Sequence, residues 1–176
     1  MVGYLLGSIA AINSLHSHLL ITHRVKPDLT ISERAANNTF VHRLYILGHF
    51  VGGLLFGIFA WYFFVQRYQT PILFVLTTLG IIAEWTQALV PARDIYEKYH
   101  ITLAYAMSVI MTVLGIAAAL LLPIDGSLQR TVLFIALLIL LGYPAALLLP
   151  RRYFWKVEMI NINLFYLQML LLYLGR

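Results

Sequence analysis

The chain has no cysteine. Disulfides, thiolate metal sites and cysteine nucleophiles are therefore excluded. It is also poor in charge: Asp, Glu, Lys and Arg make up 11% of its 176 residues. Soluble domains carry about 25%. A chain that is 61% hydrophobic would expose large apolar patches in water, so lipid is its natural solvent. No HExxH or HxxxH spacing is present, which removes the helical zincin arrangement. No basic region precedes the apolar start, so segment 2–21 reads as a retained helix and not a cleaved signal peptide.

What is present is a series of long apolar runs. A spanning helix needs about 20 mainly apolar residues. Segments 2–21, 41–65, 71–90, 101–122, 131–149 and 154–174 qualify. The runs are continuous and not alternating, which excludes a membrane barrel. Pro71, Pro91, Pro123 and Pro150 stand at or near the expected helix ends. The expectation is an all-α polytopic membrane protein: a bundle of six transmembrane helices forming one domain over 1–176. Apart from 23–40 the loops are short, so consecutive helices should be antiparallel neighbours.

The net charge of +5 does not suggest nucleic acid, because the basic residues sit in short connections between apolar runs. Arg24, Lys26, Arg34, Arg43, Arg93, Lys98, Arg151, Arg152 and Lys156 fall on one side; Arg67, Arg130 and Arg176 fall on the other. The positive-inside rule then puts both termini outside and the first, third and fifth loops in the cytoplasm. Gly48, Gly52, Gly53 and Gly57 give the second helix small-xxx-small spacing, as Gly3 and Gly7 do the first. Close packing within one chain is the expectation, and a homodimer through that glycine face is the alternative.

The polar residues inside these runs are one-sided. Ionisable groups within a membrane are expensive and mark sites. His16, His18, His42, His49, Glu84, His100, Glu158 and Asn161 all fall toward the first, third and fifth loops. Glu84 is the sharpest. An unpaired carboxylate about two turns inside a helix must be protonated, paired or bound to a cation. Gln87, three positions on, shares its face. His42 and His49 share a face of the second helix, and His49 sits among the glycines. His100 opens the fourth helix with a pKa near neutrality. Asn13 and His16 share a face of the first, and Glu158, Asn161 and Gln168 form a stripe on the sixth. The expected catalytic set is Glu84, His49 and His100. The expected binding set is Asn13, His16, Gln87, Asp94, Glu158, Asn161, Arg43 and Arg93.

Two stretches carry a resemblance. Thr30-Ile31-Ser32-Glu33, then a helix with Gly48, His49 and Gly52-Gly53, resembles the DRAM-like family (damage-regulated autophagy modulators) and its bacterial relatives. The run 80–91, followed by Asp94, His100 and Ala104, resembles the same relatives. The matched stretches lie within 30–108. The resemblance implies a six-helix bundle, roles for Ser32, Glu33, Asp94 and His100, and a connection to lipid handling. The eukaryotic members are drawn with the first loop lumenal, where Asn37-Asn38-Thr39 would be a glycosylation acceptor; the charge count here puts that loop inside.

The leading expectation is recognition or processing of a lipid or other amphiphile at the cytoplasmic leaflet, with membrane lipids as partners. No cofactor is required by the sequence. Zinc on His16, His49, His100 and Glu84, or haem between His49 and His100, would have suitable ligand types. A small proton-coupled transporter, a haem-bearing redox subunit and a purely structural membrane subunit are the alternatives. A transporter needs polarity in the opposite half, which offers little beyond Tyr4, Ser8, Thr77, Thr78 and Ser108.

Overall fold

The computed structural model describes residues 31–149 and 153–175. Segment 2–21, with Asn13 and His16, lies outside them. Among the described residues the chain is all helix and turn, with no strand. A short helix α1 (Ile31–Ala36) leads into α2 (Thr39–Ala60), which continues as a widened π-helical turn over Trp61–Arg67. Then come α3 (Pro71–Leu89), a 3-10 turn (Asp94–Tyr96), α4 (Glu97–Leu121), α5 (Gly126–Leu148) and α6 (Phe154–Leu174).

Local chemistry sets three of the starts. The Asn38 side chain accepts from the backbone amides of Phe40 and Val41, which caps α2. Pro71 opens α3, where its missing N–H is no loss. Asp125 accepts from the amides of Ser127 and Leu128 at 2.7 and 3.0 Å, so α5 begins at Gly126 instead of 131. Pro144 lies inside α5. The π-helical turn ends because the Phe64 carbonyl accepts from both the amide and the hydroxyl of Thr70, at 2.8 and 3.0 Å. Gln69 takes the left-handed φ of 54° that this reversal needs. Arg67 lies over the rings of Phe63 and Tyr68.

Four helical stretches are long and apolar enough to cross a membrane: Thr39–Arg67, Pro71–Leu89, Asp94–Leu121 and Lys156–Leu174. A shorter apolar helix covers Gly126–Gly142. This is the composition of a multi-pass membrane protein. Sequential helices pack on one another as their short loops require, and α4 also meets α6. Leu47, Leu54, Ile72, Leu79, Val109, Leu120, Phe134 and Leu141 point outward, while Thr77, Gln87, His100, Ser108, Thr112, Asn161 and Gln168 are buried. An apolar exterior around polar groups is what lipid selects.

The core sits at one end. Phe56, Phe59, Phe63, Phe64, Leu73, Leu114, Leu122, Val132, Met169 and Leu172 fill the bundle between the C-terminal halves of α2, α4 and α6 and the N-terminal halves of α3 and α5. A smaller group, Ala35, Val41, Tyr45 and Ala88, closes the opposite end. Glycines admit large neighbours between helices. Gly115 on α4 lies directly under the carboxamide of Gln168, and Gly142 on α5 under that of Asn161. Gln168 Nε2 donates to the Val132 carbonyl at 3.0 Å and so ties α6 to α5.

Candidate functional site

The site is built on the first half of α2. His42, Tyr45 and His49 follow at spacings of three and four, so their rings line one helix face. The His42 and Tyr45 rings are parallel with centroids 6.3 Å apart; the Tyr45 and His49 rings meet edge to face at 4.3 Å. The last turns of α3 lie against this row. Glu84 Oε1 is 2.8 Å from His49 Nδ1. With the carboxylate ionised it can only accept, so Nδ1 is the donor. Both side chains are mostly buried, at 18% and 17% exposure. Coulomb attraction at such a site is far stronger than in water.

Trp85 fixes the dyad from the other side. Its indole N–H donates to the His49 carbonyl at 3.1 Å, and its ring stacks on Phe50 with centroids 4.7 Å apart. The indole occupies the space where a side chain at position 53 would begin, and this is why Gly53 is needed there. Two glycines of this α2 face meet neighbours within the chain: Gly53 holds Trp85, and Gly57 faces Ile81.

One turn beyond Glu84, Gln87 is buried between α2 and α4. Its Nε2 is 3.1 Å from His100 Nε2 and 3.4 Å from the Tyr45 hydroxyl. His100 Nδ1 is 2.7 Å from the Val90 carbonyl. Both ring nitrogens of His100 are therefore engaged by protein, and the side chain is 3% exposed. It would have to give up a hydrogen bond to ligate a metal or act as a base.

The remaining candidates sit around this centre. Glu158, on the first turns of α6, lies within electrostatic reach of Tyr45, as does Glu84. Met159 packs on the small cluster that includes Tyr45. Asn161 is buried against Gly142. Ser32 and Glu33 are buried in α1. Arg43, Arg93 and Asp94 are exposed at the rim. Arg93 reaches the Ala36 carbonyl at 3.4 Å and stands 4.0 Å from Asp94, an exposed pair that contributes little to stability. Asp94 has a left-handed φ of 52°, so its placement suits the turn into α4. The structure brings Glu84, His49, Gln87 and His100 together. It places Asp94, Arg43 and Arg93 outside that buried group.

Tyr45 and Trp85 were missed by the sequence reading. Tyr45 had a signal, since it lies three residues after His42 and four before His49. Trp85 had none beyond its adjacency to Glu84. Among the described residues no three His, Asp or Glu side chains gather as a metal site would require. Compared with protein-family models, curated proteins and solved structures, the chain matches none of them.

Proposed function

We propose that this chain is a six-helix membrane protein that binds or processes a lipid or other amphiphile at the cytoplasmic leaflet, with the Glu84–His49 dyad at its centre. The observation that carries the reading is the 2.8 Å contact between these side chains at one end of a lipid-facing bundle. Glu84 orients the ring. His49 is the group placed to take or give a proton at a ligand's polar linkage. His100 acts through Gln87 and Tyr45 as a positioning residue. Arg43 and Arg93 at the rim, with Arg24, Arg34, Arg151 and Arg152, attract an anionic or zwitterionic headgroup. The lipid handling implied by the family resemblance points the same way.

A through-path for a transported solute has less support. The hydroxyls of Thr77, Thr78, Ser108 and Thr112 all donate to carbonyls of their own helices. Phenylalanines fill the end opposite the dyad. Haem between His49 and His100 would compete with the Glu84, Val90 and Gln87 contacts.

The test is native mass spectrometry of the detergent-purified protein. The wild type is expected to retain a phospholipid that Glu84→Gln and His49→Ala lose while remaining inserted and folded. Retention by both variants overturns the reading.

A further inference from the structure

The direction of every hydrogen bond around Gln87 follows from one backbone group. The Val90 carbonyl only accepts, so His100 Nδ1 is the donor in their 2.7 Å contact. A neutral imidazole then presents a lone pair at Nε2. Gln87 Nε2, 3.1 Å away, donates to it. The second hydrogen of the same nitrogen is directed to the Tyr45 oxygen at 3.4 Å. Turning the carboxamide over would set its oxygen against the His100 lone pair, acceptor against acceptor. His100 therefore fixes which way the amide faces.

Gln87 Oε1 is what remains. It accepts from nothing among the described residues, on a side chain only 7% exposed. A buried acceptor left unmet is costly. Its surroundings reinforce the same demand. Glu84 lies one turn earlier on the same helix, and Glu158 stands within electrostatic reach of Tyr45. The basic side chains of this end whose exposure is described, Arg43, Arg93, Lys98 and Lys156, are all exposed. The interior thus offers acceptors and the rim offers cations.

We propose that the site takes a phospholipid whose headgroup carries an N–H or O–H donor, with Gln87 Oε1 receiving that donor and the rim arginines meeting the phosphate. This rests on the lipid reading above. Phosphatidylethanolamine, through its ammonium, and phosphatidylglycerol, through its hydroxyls, both satisfy the acceptor. Phosphatidylcholine does not: it keeps the phosphate and the positive charge, but its nitrogen is fully methylated.

The experiment titrates the full chain in detergent with short-chain forms of these three lipids and reads occupancy by native mass spectrometry. Phosphatidylethanolamine or phosphatidylglycerol should bind about tenfold more tightly than phosphatidylcholine, a difference of about 1.4 kcal/mol. A preference for the first seats an ammonium, and a preference for the second seats a hydroxyl; either supports the proposal. Gln87→Met, which keeps the volume and removes the acceptor, should bring the three lipids together. Equal affinities in the wild type overturn the proposal and leave the lipid reading standing. Failure of all three to bind overturns the lipid reading itself. The wild-type comparison needs no variant, so a misfolded Gln87→Met leaves the result decided.

Discussion

Two glycines one turn apart on α2 meet different neighbours, and substituting them should move stability in opposite directions. At Gly53 a methyl group would displace the indole of Trp85 and with it the hydrogen bond to the His49 carbonyl. Gly53→Ala is expected to cost about 1–3 kcal/mol through overpacking. At Gly57 the nearest atom is Ile81 Cδ1 at 3.5 Å, an ordinary contact. Gly57→Ala should be neutral or stabilise by up to about 1 kcal/mol, from helix propensity. Thermal unfolding in detergent separates the two, and equal losses would show that Trp85 does not depend on the gap. At this scale the sequence named Glu84, His49, Gln87 and His100, because an ionisable or amide group inside an apolar run stands out. It did not pair them. Which faces of α2 and α3 meet depends on rotations that no local pattern records, and Tyr45 was hidden because a phenol reads as interfacial or apolar.

The described helices were legible to within about five residues, since continuous apolar runs and end-placed prolines are local signals; segment 2–21 lies outside the described residues. Segment 71–90 is observed as Pro71–Leu89, and 154–174 as Phe154–Leu174. Where the bounds moved, polar residues lie outside the apolar run. Asp125 starts α5 ahead of its apolar run, and Glu97 belongs to α4 although it lies outside the hydrophobic stretch. The Asp125 cap makes a pH prediction outside the membrane. Hydrogen bonds from the Ser127 hydroxyl and from the Leu128 and Ser127 amides hold its carboxyl below the ordinary value. A depressed folded-state pKa stabilises the folded form above the unfolded pKa, and that contribution disappears as pH falls through the lower folded one. Asp125→Asn keeps a capping oxygen but cannot titrate. Its melting temperature should decline less than that of the wild type over the acid range in which carboxylates protonate. Parallel curves would show that the cap carries no pH-dependent stability.

For the whole molecule, orientation is a property that labelling in cells reads directly. In the sequence, nine of the twelve Lys and Arg residues fall in or beside the first, third and fifth loops, and the positive-inside rule predicts that this side faces inward. The lack of native cysteine makes labelling direct. Ser32 is a poor probe because it is 8% exposed, and Asn37 is better because it is exposed on the same loop. In intact cells Asn37→Cys should resist a membrane-impermeant thiol reagent and Ser127→Cys should react. The reverse pattern would put the dyad outside. The bundle character and the one-ended polarity could be seen in the sequence because both are sums over many residues. The Phe-rich seal at the far end could not, since phenylalanines facing lipid and phenylalanines facing each other look the same in a linear chain.

The direction in which the polar contacts point has a consequence for biogenesis. The hydroxyls of Thr77, Thr78, Thr86, Ser108, Thr112 and Thr131 bond within their own helices, so they need no neighbour on entering the bilayer. Among the described residues, several groups that do need one find it upstream. Glu84 and Trp85 meet His49, Gln87 meets Tyr45, His100 meets Gln87 and Val90, and Gln168 meets Val132. A chain leaving the ribosome in order delivers each of these residues after its partner. The carboxylate, the most expensive group to leave alone in hydrocarbon, arrives when its imidazole is already in place. For these contacts among the described residues, the later group therefore finds its partner already present as the bundle assembles helix by helix.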